Sequence, residues 1–138
     1  AQDVASDDVC NLYGPIEITL DCTCFIVNRE IKDEESIPIG FPCRNTDILI
    51  LDADNKLVAE AGKEGELCVR GTSLAMGYYN NPEKTASAFV QNPLNHAYPE
   101  TIYRTGDVVV INERGEIVFK GRKDTLIKHM AIVQSWAR

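Results

Sequence analysis

Four segments of this 138-residue chain contain residue types able to do chemistry. They are Asn11-Leu-Tyr-Gly-Pro-Ile-Glu17, Gly65-Glu-Leu-Cys-Val-Arg-Gly71 running on to Gly77-Tyr-Tyr-Asn80, Tyr103-Arg-Thr-Gly-Asp107, and Gly121-Arg-Lys-Asp124. An aromatic face suits any flat ring, and an ionised carboxylate only accepts hydrogen bonds and can serve two donors at once. Glycine lets a backbone come close to a neighbour, and a glutamate oxygen suits a hard cation. Each segment also has a plain structural reading. Tyr13 is then a buried tyrosine, Asp107 a turn cap, Glu17 a surface charge, Gly106 a loop hinge and Gly121-Arg122 the end of a hairpin.

The elements that must position these residues read as mostly β. Ile18 to Asn28 alternates with a period of two and predicts a strand, with Leu20, Cys22, Cys24 and Ile26 on one face. Residues 29–45, broken by Pro38, Gly40 and Pro42, predict irregular chain. The apolar run Ile48-Leu-Ile-Leu51 predicts a strand covered on both faces, stopping at the turn-rich Asp52-Ala-Asp-Asn55. Leu57-Val58 predicts a short strand, and Glu66 to Arg70 a clearer one. One helix is predicted, with Asn81 as its cap, Pro82 in its first turn and Glu83 at the positive end of its dipole. Ala86, Phe89 and Val90 would form its apolar stripe, and Asn92-Pro93 would end it. After an irregular stretch, Asp107–Ile111 and Glu116–Lys120 predict a hairpin turning through Gly115, and Thr125 to Lys128 a last strand. Five or more short strands and one short helix predict a small, mainly β, barrel-like domain.

Composition sets outer limits. A formal charge of −7, from 14 basic and 21 acidic residues, argues against binding to nucleic-acid backbones, which needs a basic surface. No apolar stretch is long enough to cross a bilayer, and residues 1–10 lack the basic start and apolar block of a secretory signal. The five cysteines, at 10, 22, 24, 43 and 68, show no C-x-x-C spacing. They read as small buried hydrophobes in a reducing compartment, and the expected location is the cytoplasm.

Order and spacing add what single motifs do not. The chain resembles the adenylate-forming (AMP-binding) superfamily, in which N-x-Y-G-P-T-E is followed by G-E-L-x-(V/I)-x-G, G-Y-x-N-x-P-E-x-T, Y-R-T-G-D and G-R-x-D. Gly77-Tyr-Tyr-Asn-Asn-Pro-Glu-Lys-Thr85 matches the third element nearly letter for letter, and the five ordered matches cover about residues 10–130. Asn92-Pro-Leu, Tyr98-Pro-Glu-Thr-Ile-Tyr-Arg-Thr-Gly-Asp107 and Lys128-His-Met130 make it most similar to the amino-acid-activating branch. That branch includes D-alanine–carrier protein ligases and peptide-synthetase adenylation domains.

The resemblance implies a β-rich subdomain, the third of the family's large N-terminal region, over residues 1–130, followed by a non-matching tail, 131–138. It implies ATP or AMP and Mg²⁺ as ligands of the parent enzyme, and a phosphopantetheinyl carrier protein or coenzyme A as its partner. Within the nucleotide-binding segments, carried over as Asn11, Tyr13, Gly14, Ile16, Asp107 and Arg122, Tyr13 would stack on adenine. Asp107 would accept from both ribose hydroxyls, Arg122 would reach the ribose from the far side, and Gly14 would let the backbone approach the ligand. Glu17 would help hold Mg²⁺, Leu12, Leu20 and Asp21 would line the amino-acid pocket, and Asp124 would be the hinge.

Three departures shape the expectation. Ile16 stands where the family has a threonine that donates to the α-phosphate. No Ser/Thr/Gly-rich phosphate loop ending in Lys-Gly is present, and the family pattern breaks between Met130 and Ala131. The expected activity is therefore that of an incomplete piece of an acid–thiol ligase, inactive as an isolated chain and able to self-associate through exposed apolar surface. Two alternatives remain open: a binding or structural β-domain that kept the fold without the chemistry, and the acyl-CoA synthetase branch.

Overall fold

The computed structural model describes residues 8–125. In chain order the elements are β1 (Cys10–Tyr13), a 3₁₀ turn (Ile16–Ile18), β2 (Thr23–Ile26), β3 (Phe41–Pro42), β4 (Thr46–Leu51), β5 (Glu64–Gly71), α1 (Pro82–Ala88), β6 (Phe89–Gln91), β7 (Thr101–Ile111) and β8 (Ile117–Arg122). β1, β2 and β3 form an antiparallel sheet in that order. In the second sheet β4, β5 and β7 are neighbours, and β6 and β8 share the far edge of β7. β6 pairs with residues 101–103 of β7, and β8 with residues 107–111. The sheets meet where Gly40 bridges Ile117. The result is a curled, half-barrel sheet with one short helix, in line with the mainly β expectation.

Both faces of the second sheet are covered at its centre. Ile50, Leu67, Val69 and Val109 pack with Ile18 and Ile117 on one side. Leu49, Leu51, Cys68 and Ile102 pack on the other, against Val90. This is why Ile48–Leu51 is a continuous apolar run. Leu67 is fully buried, and truncating such a residue to alanine costs about 2–5 kcal/mol.

Several sequence expectations need correction. The predicted strand Ile18–Asn28 survives only as Thr23–Ile26. Upstream, the chain makes a 3₁₀ turn and reverses at Thr19, whose φ is 67°. Leu20 is left 75% exposed, while Thr23 and Phe25 point inward. An alternating pattern does not register a residue whose backbone turns left-handed.

The helix is capped as expected, Asn81 Oδ1 accepting from the Lys84 amide at 3.1 Å. It ends at Ala88, because Phe89 and Val90 pair with Tyr103 and Ile102 as β6. Aromatic and β-branched side chains fit that pleated surface. Tyr103–Asp107 is the middle of β7 and not an irregular run-up to a strand. β1 and β3 were not anticipated.

Leu57-Val58 makes only a single bridge, Leu51 to Leu57, and one amide bond from Val58 to Ile50 at 2.8 Å. The β7–β8 hairpin holds, with Gly115 at φ 77°. Thr125 sits in a helical turn with Lys123 and Asp124, so the predicted last strand does not begin there. The rest of that segment, Lys128-His-Met130, and the tail 131–138 lie outside the described residues. Among the described residues no helix is long and apolar enough to cross a membrane.

Candidate nucleotide site

The site is built from the ends and the middle of three strands. β1 delivers Tyr13, β7 delivers Thr105 and Asp107, and β8 ends at Arg122. Tyr13 donates its hydroxyl proton to Asp107 Oδ2 across 94 residues of sequence. Arg122 donates to Asp107 Oδ1 at 2.8 Å and to the Thr105 carbonyl. Thr105 Oγ1 donates to the Leu67 carbonyl at 2.7 Å and accepts from the Asp107 amide at 3.0 Å. Asp107 is 7% exposed, so its charge is held by these partners and little by water.

Gly106 makes this geometry possible. Its φ is 72°, and a Cβ there would sit 2.8 Å from the Arg122 guanidinium. The ladder with β5 is irregular between Arg104 and Val108, across Gly106, and a bulge of this kind re-aims the next side chain. The missing side chain lets Arg122 fold over the strand onto Asp107.

Burial, and then the bond to the Asp107 carboxylate, raise the Tyr13 pKa well above the ordinary tyrosine value, so the phenol remains a donor. The bond to Asp107 raises that of Arg122 further.

Glu17 anchors a neighbouring cluster. Tyr78 donates its hydroxyl proton to Glu17 Oε1 at 2.7 Å. Lys84 lies 4.3 Å from the Tyr78 ring centre, and Phe89 packs between Tyr78 and Tyr103. Burial alone would raise the Glu17 pKa. Hydrogen bonds from Tyr78, its own amide and Tyr103, together with the Lys84 charge, outweigh that and hold it below the usual value. A cavity of about 400 Å³ beside this cluster is lined by Tyr78, Lys84, Tyr103, Gly106, Arg122 and Lys123, among others. At its edge Glu66 pairs with Arg104 at 3.0 Å and accepts from the Gly106 amide at 3.1 Å.

Of the other sequence candidates, Asp124 touches this set through Arg122 and borders the same cavity, and the rest lie apart from these contacts. Asn11 donates its side-chain amide to the Pro38 carbonyl at 2.8 Å. The close approach at Gly14 is to the chain's own return, since a Cβ there would lie 2.7 Å from the Asp21 Cα. Leu12, Ile16 and Leu20 are 53%, 95% and 75% exposed, and Asp21 is exposed. Asp124 is exposed and reaches Arg122 at 3.8 Å.

Sequence reasoning gave no role to Thr105, Glu66, Tyr78 or Lys84. All four stand inside the motifs already quoted, so the signal was membership of a motif and the missing part was geometry.

The Asp107 carboxylate has acceptor capacity beyond its protein partners. Asp107 has about four lone-pair sites, of which Tyr13 and Arg122 use two, leaving one on each oxygen for a pair of hydroxyls. Among the described residues no group of three or more His, Cys, Asp or Glu is arranged to hold a metal ion. Glu17 alone is compatible with Mg²⁺, which usually takes one or two carboxylates and completes its shell with water and phosphate oxygens.

Comparison with known proteins shows the family of the chain. The chain is 43% identical over 126 residues to bacitracin synthase 1 of Bacillus licheniformis, covering 91% of this chain and 2% of that protein. It is 40% identical over 121 residues to the D-alanine--D-alanyl carrier protein ligase of Lacticaseibacillus casei, covering 87% of this chain and 23% of that protein. The chain thus spans only a small part of these relatives. Among solved structures it is similar to holo-PA1221, an NRPS protein containing adenylation and PCP domains, with a TM-score of 0.77 and 36% identity over 83% of this chain and 20% of that one. The family described as "AMP-binding enzyme" matches residues 1–79, more than half of the sequence, and the chain belongs to that family.

Proposed function

We propose that this chain carries the nucleoside-holding part of an ATP-dependent enzyme that activates an amino acid or similar carboxylate. In that reaction a carboxylate oxygen attacks the α-phosphorus of ATP, the bond to pyrophosphate breaks, and a carrier-protein thiol then displaces AMP. The observation that carries the reading is the convergence of Tyr13, Asp107 and Arg122 from three separate strands onto one carboxylate.

Tyr13 presents its ring to adenine, Asp107 offers its remaining lone pairs to the two ribose hydroxyls, and Arg122 closes over the sugar. Glu17, oriented by Tyr78, supplies one oxygen to Mg²⁺. Asn11 and Gly14 hold the backbone that presents Tyr13, tied to Pro38 and to the 20–22 return. Leu12, Leu20 and Asp21, all solvent-facing, are assigned to the amino-acid side, and Asp124 to the hinge. The relatives support an amino acid over a fatty acid and a carrier protein over coenzyme A.

The 138 residues alone are expected to bind the nucleoside and not to form the adenylate. Ile16, 95% exposed, offers no side-chain donor where a phosphate would need one. Calorimetry should show saturable adenosine binding that Asp107→Ala abolishes. Pyrophosphate exchange with a panel of amino acids should not exceed the blank. Exchange above it would refute the claim of inactivity.

Ile16 also favours a second reading, a β-domain that kept the fold without the chemistry. Ile16→Thr separates the two: it should tighten AMP by about 1.5–3 kcal/mol, the worth of one hydrogen bond to a charged group, and leave adenosine unchanged. No gain for AMP would favour the second reading. The exposed side chains of Ile16, Leu20, Met76 and Tyr79 support self-association of the isolated chain, which light scattering would detect.

A further inference from the structure

The cysteines do not all behave as core residues. Cys22 and Cys68 are fully buried, and burial pushes both thiols up to about 12. Cys10, Cys24 and Cys43 are only half-buried. Cys10 lies on β1 and Cys24 on β2, and the ladder pairs Cys10 with Ile26 and Leu12 with Cys24. The two cysteines are therefore diagonal neighbours on one face of the ribbon, and their Sγ atoms are 3.5 Å apart. Cys43 is near enough to act electrostatically on Cys24 and to be acted on by Cys10.

We propose that Cys10 and Cys24 form a thiol–disulfide modification site, which a low-molecular-weight disulfide converts to an intramolecular bond stapling β1 to β2. This inference is independent of the nucleotide reading.

The sulfurs must close about 1.5 Å to reach disulfide bonding distance. β1 can supply that movement because it is an edge strand, paired on only one side among the described residues.

The chemistry runs in two exchanges. The Cys10 thiolate attacks one sulfur of the reagent, forming a mixed disulfide and releasing one reagent thiolate. Cys24 then attacks Cys10 Sγ, gives its proton to solvent and expels the second reagent thiolate. Two protein thiols are oxidised and one reagent disulfide is reduced to two thiols. Cys10 is the first attacker because the Cys24 thiol donates its proton toward Cys10 Sγ. The staple closes the loop containing the 3₁₀ turn and fixes the strand that ends at Tyr13.

The test treats the folded full-length chain with glutathione disulfide and reads it by mass spectrometry under non-reducing conditions. The expected result is a loss of about 2 Da, the two thiol hydrogens, with a peptide map linking Cys10 to Cys24. Cys43→Ser should react in the same way, and Cys24→Ser should stop at a mixed disulfide on Cys10. A link through Cys43, or a wild-type chain that stays at the mixed disulfide, would overturn the proposal. So would a folded chain that does not react while the urea-unfolded chain does. The wild-type map decides the matter even where a serine variant fails to fold. The oxidised wild type should also melt several degrees higher than the reduced chain, as expected when a loop is closed. An unchanged or lower melting temperature would remove the staple from the proposal.

Discussion

Two carboxylates act as hubs in this molecule, and they do so differently. Glu100 accepts from Asn92 at 2.8 Å and Asn95 at 3.0 Å on one oxygen, and from Arg70 at 3.2 Å on the other. Two of those three donors come from the same loop, within eight residues of it. Asp107 takes its donors from 94 and 15 residues away. Glu100 has used three of about four lone pairs to hold its own loop together, whereas Asp107 has used two.

The Glu100 loop also borders the larger depression, about 600 Å³ against about 400 Å³ for the cavity beside Arg122. Size alone would point to the Glu100 loop, whereas convergence of distant strands on a carboxylate with acceptor capacity left over points to Asp107.

Substitutions at the two hubs should break or sharpen this contrast. Asp107→Ala should have the largest effect, because it leaves the Tyr13 hydroxyl without its acceptor and Arg122 without its nearest carboxylate. The loss of a buried partner costs about 3–5 kcal/mol, and the half-exposed Arg122 side chain places this case at the low end. Chemical denaturation would measure it, and calorimetry should show adenosine binding lost with it. Tyr13→Phe keeps the ring and removes only the hydroxyl. It should destabilise the fold by about 1.5–3 kcal/mol while leaving adenosine affinity nearly intact, because stacking does not need the hydroxyl.

On the other side of the comparison, Asn92→Ala removes a 2%-exposed amide that donates to Glu100 and accepts from the Leu94 backbone. It should cost about 1–3 kcal/mol of stability and leave nucleoside binding unchanged. A change in adenosine affinity here would erase the distinction between the two regions.

The smallest effect is one of pH. Hydrogen bonds from Asn95 and Asn92, aided by the Arg70 charge, hold Glu100 below the usual glutamate pKa. A carboxylate depressed in the fold contributes stability above its unfolded pKa and loses it as pH falls through the folded value. The 92–100 loop should therefore loosen in hydrogen exchange on acidification below the ordinary carboxylate range. Glu100→Gln should flatten that dependence, and salt should weaken it.

Much of the architecture was readable from residue order. The Gly115 hairpin, the Asn81 cap and the doubly covered run Ile48–Leu51 rest on local rules, and the structure has all three. The misreadings share a cause. The helix stripe assigned to Phe89 and Val90 is strand because β7 offers them partners. The strand drawn through Ile18 to Cys22 is interrupted because Thr19 turns left-handed, with its hydroxyl donating to the distant Ser73 carbonyl at 3.2 Å. Both outcomes depend on a segment distant in sequence, and local propensity carries no information about it.

By itself the sequence determined the family and the mainly β character, because motif order and residue chemistry are written along the chain. Only the tertiary structure decided that Gly106 clears space for the Arg122 guanidinium, that Thr105 ties the Asp107 backbone to β5, and that Cys10 meets Cys24. Each of those contacts needs a strand register and a curl of the sheet, which arise from pairing between distant segments and from burial on two faces at once.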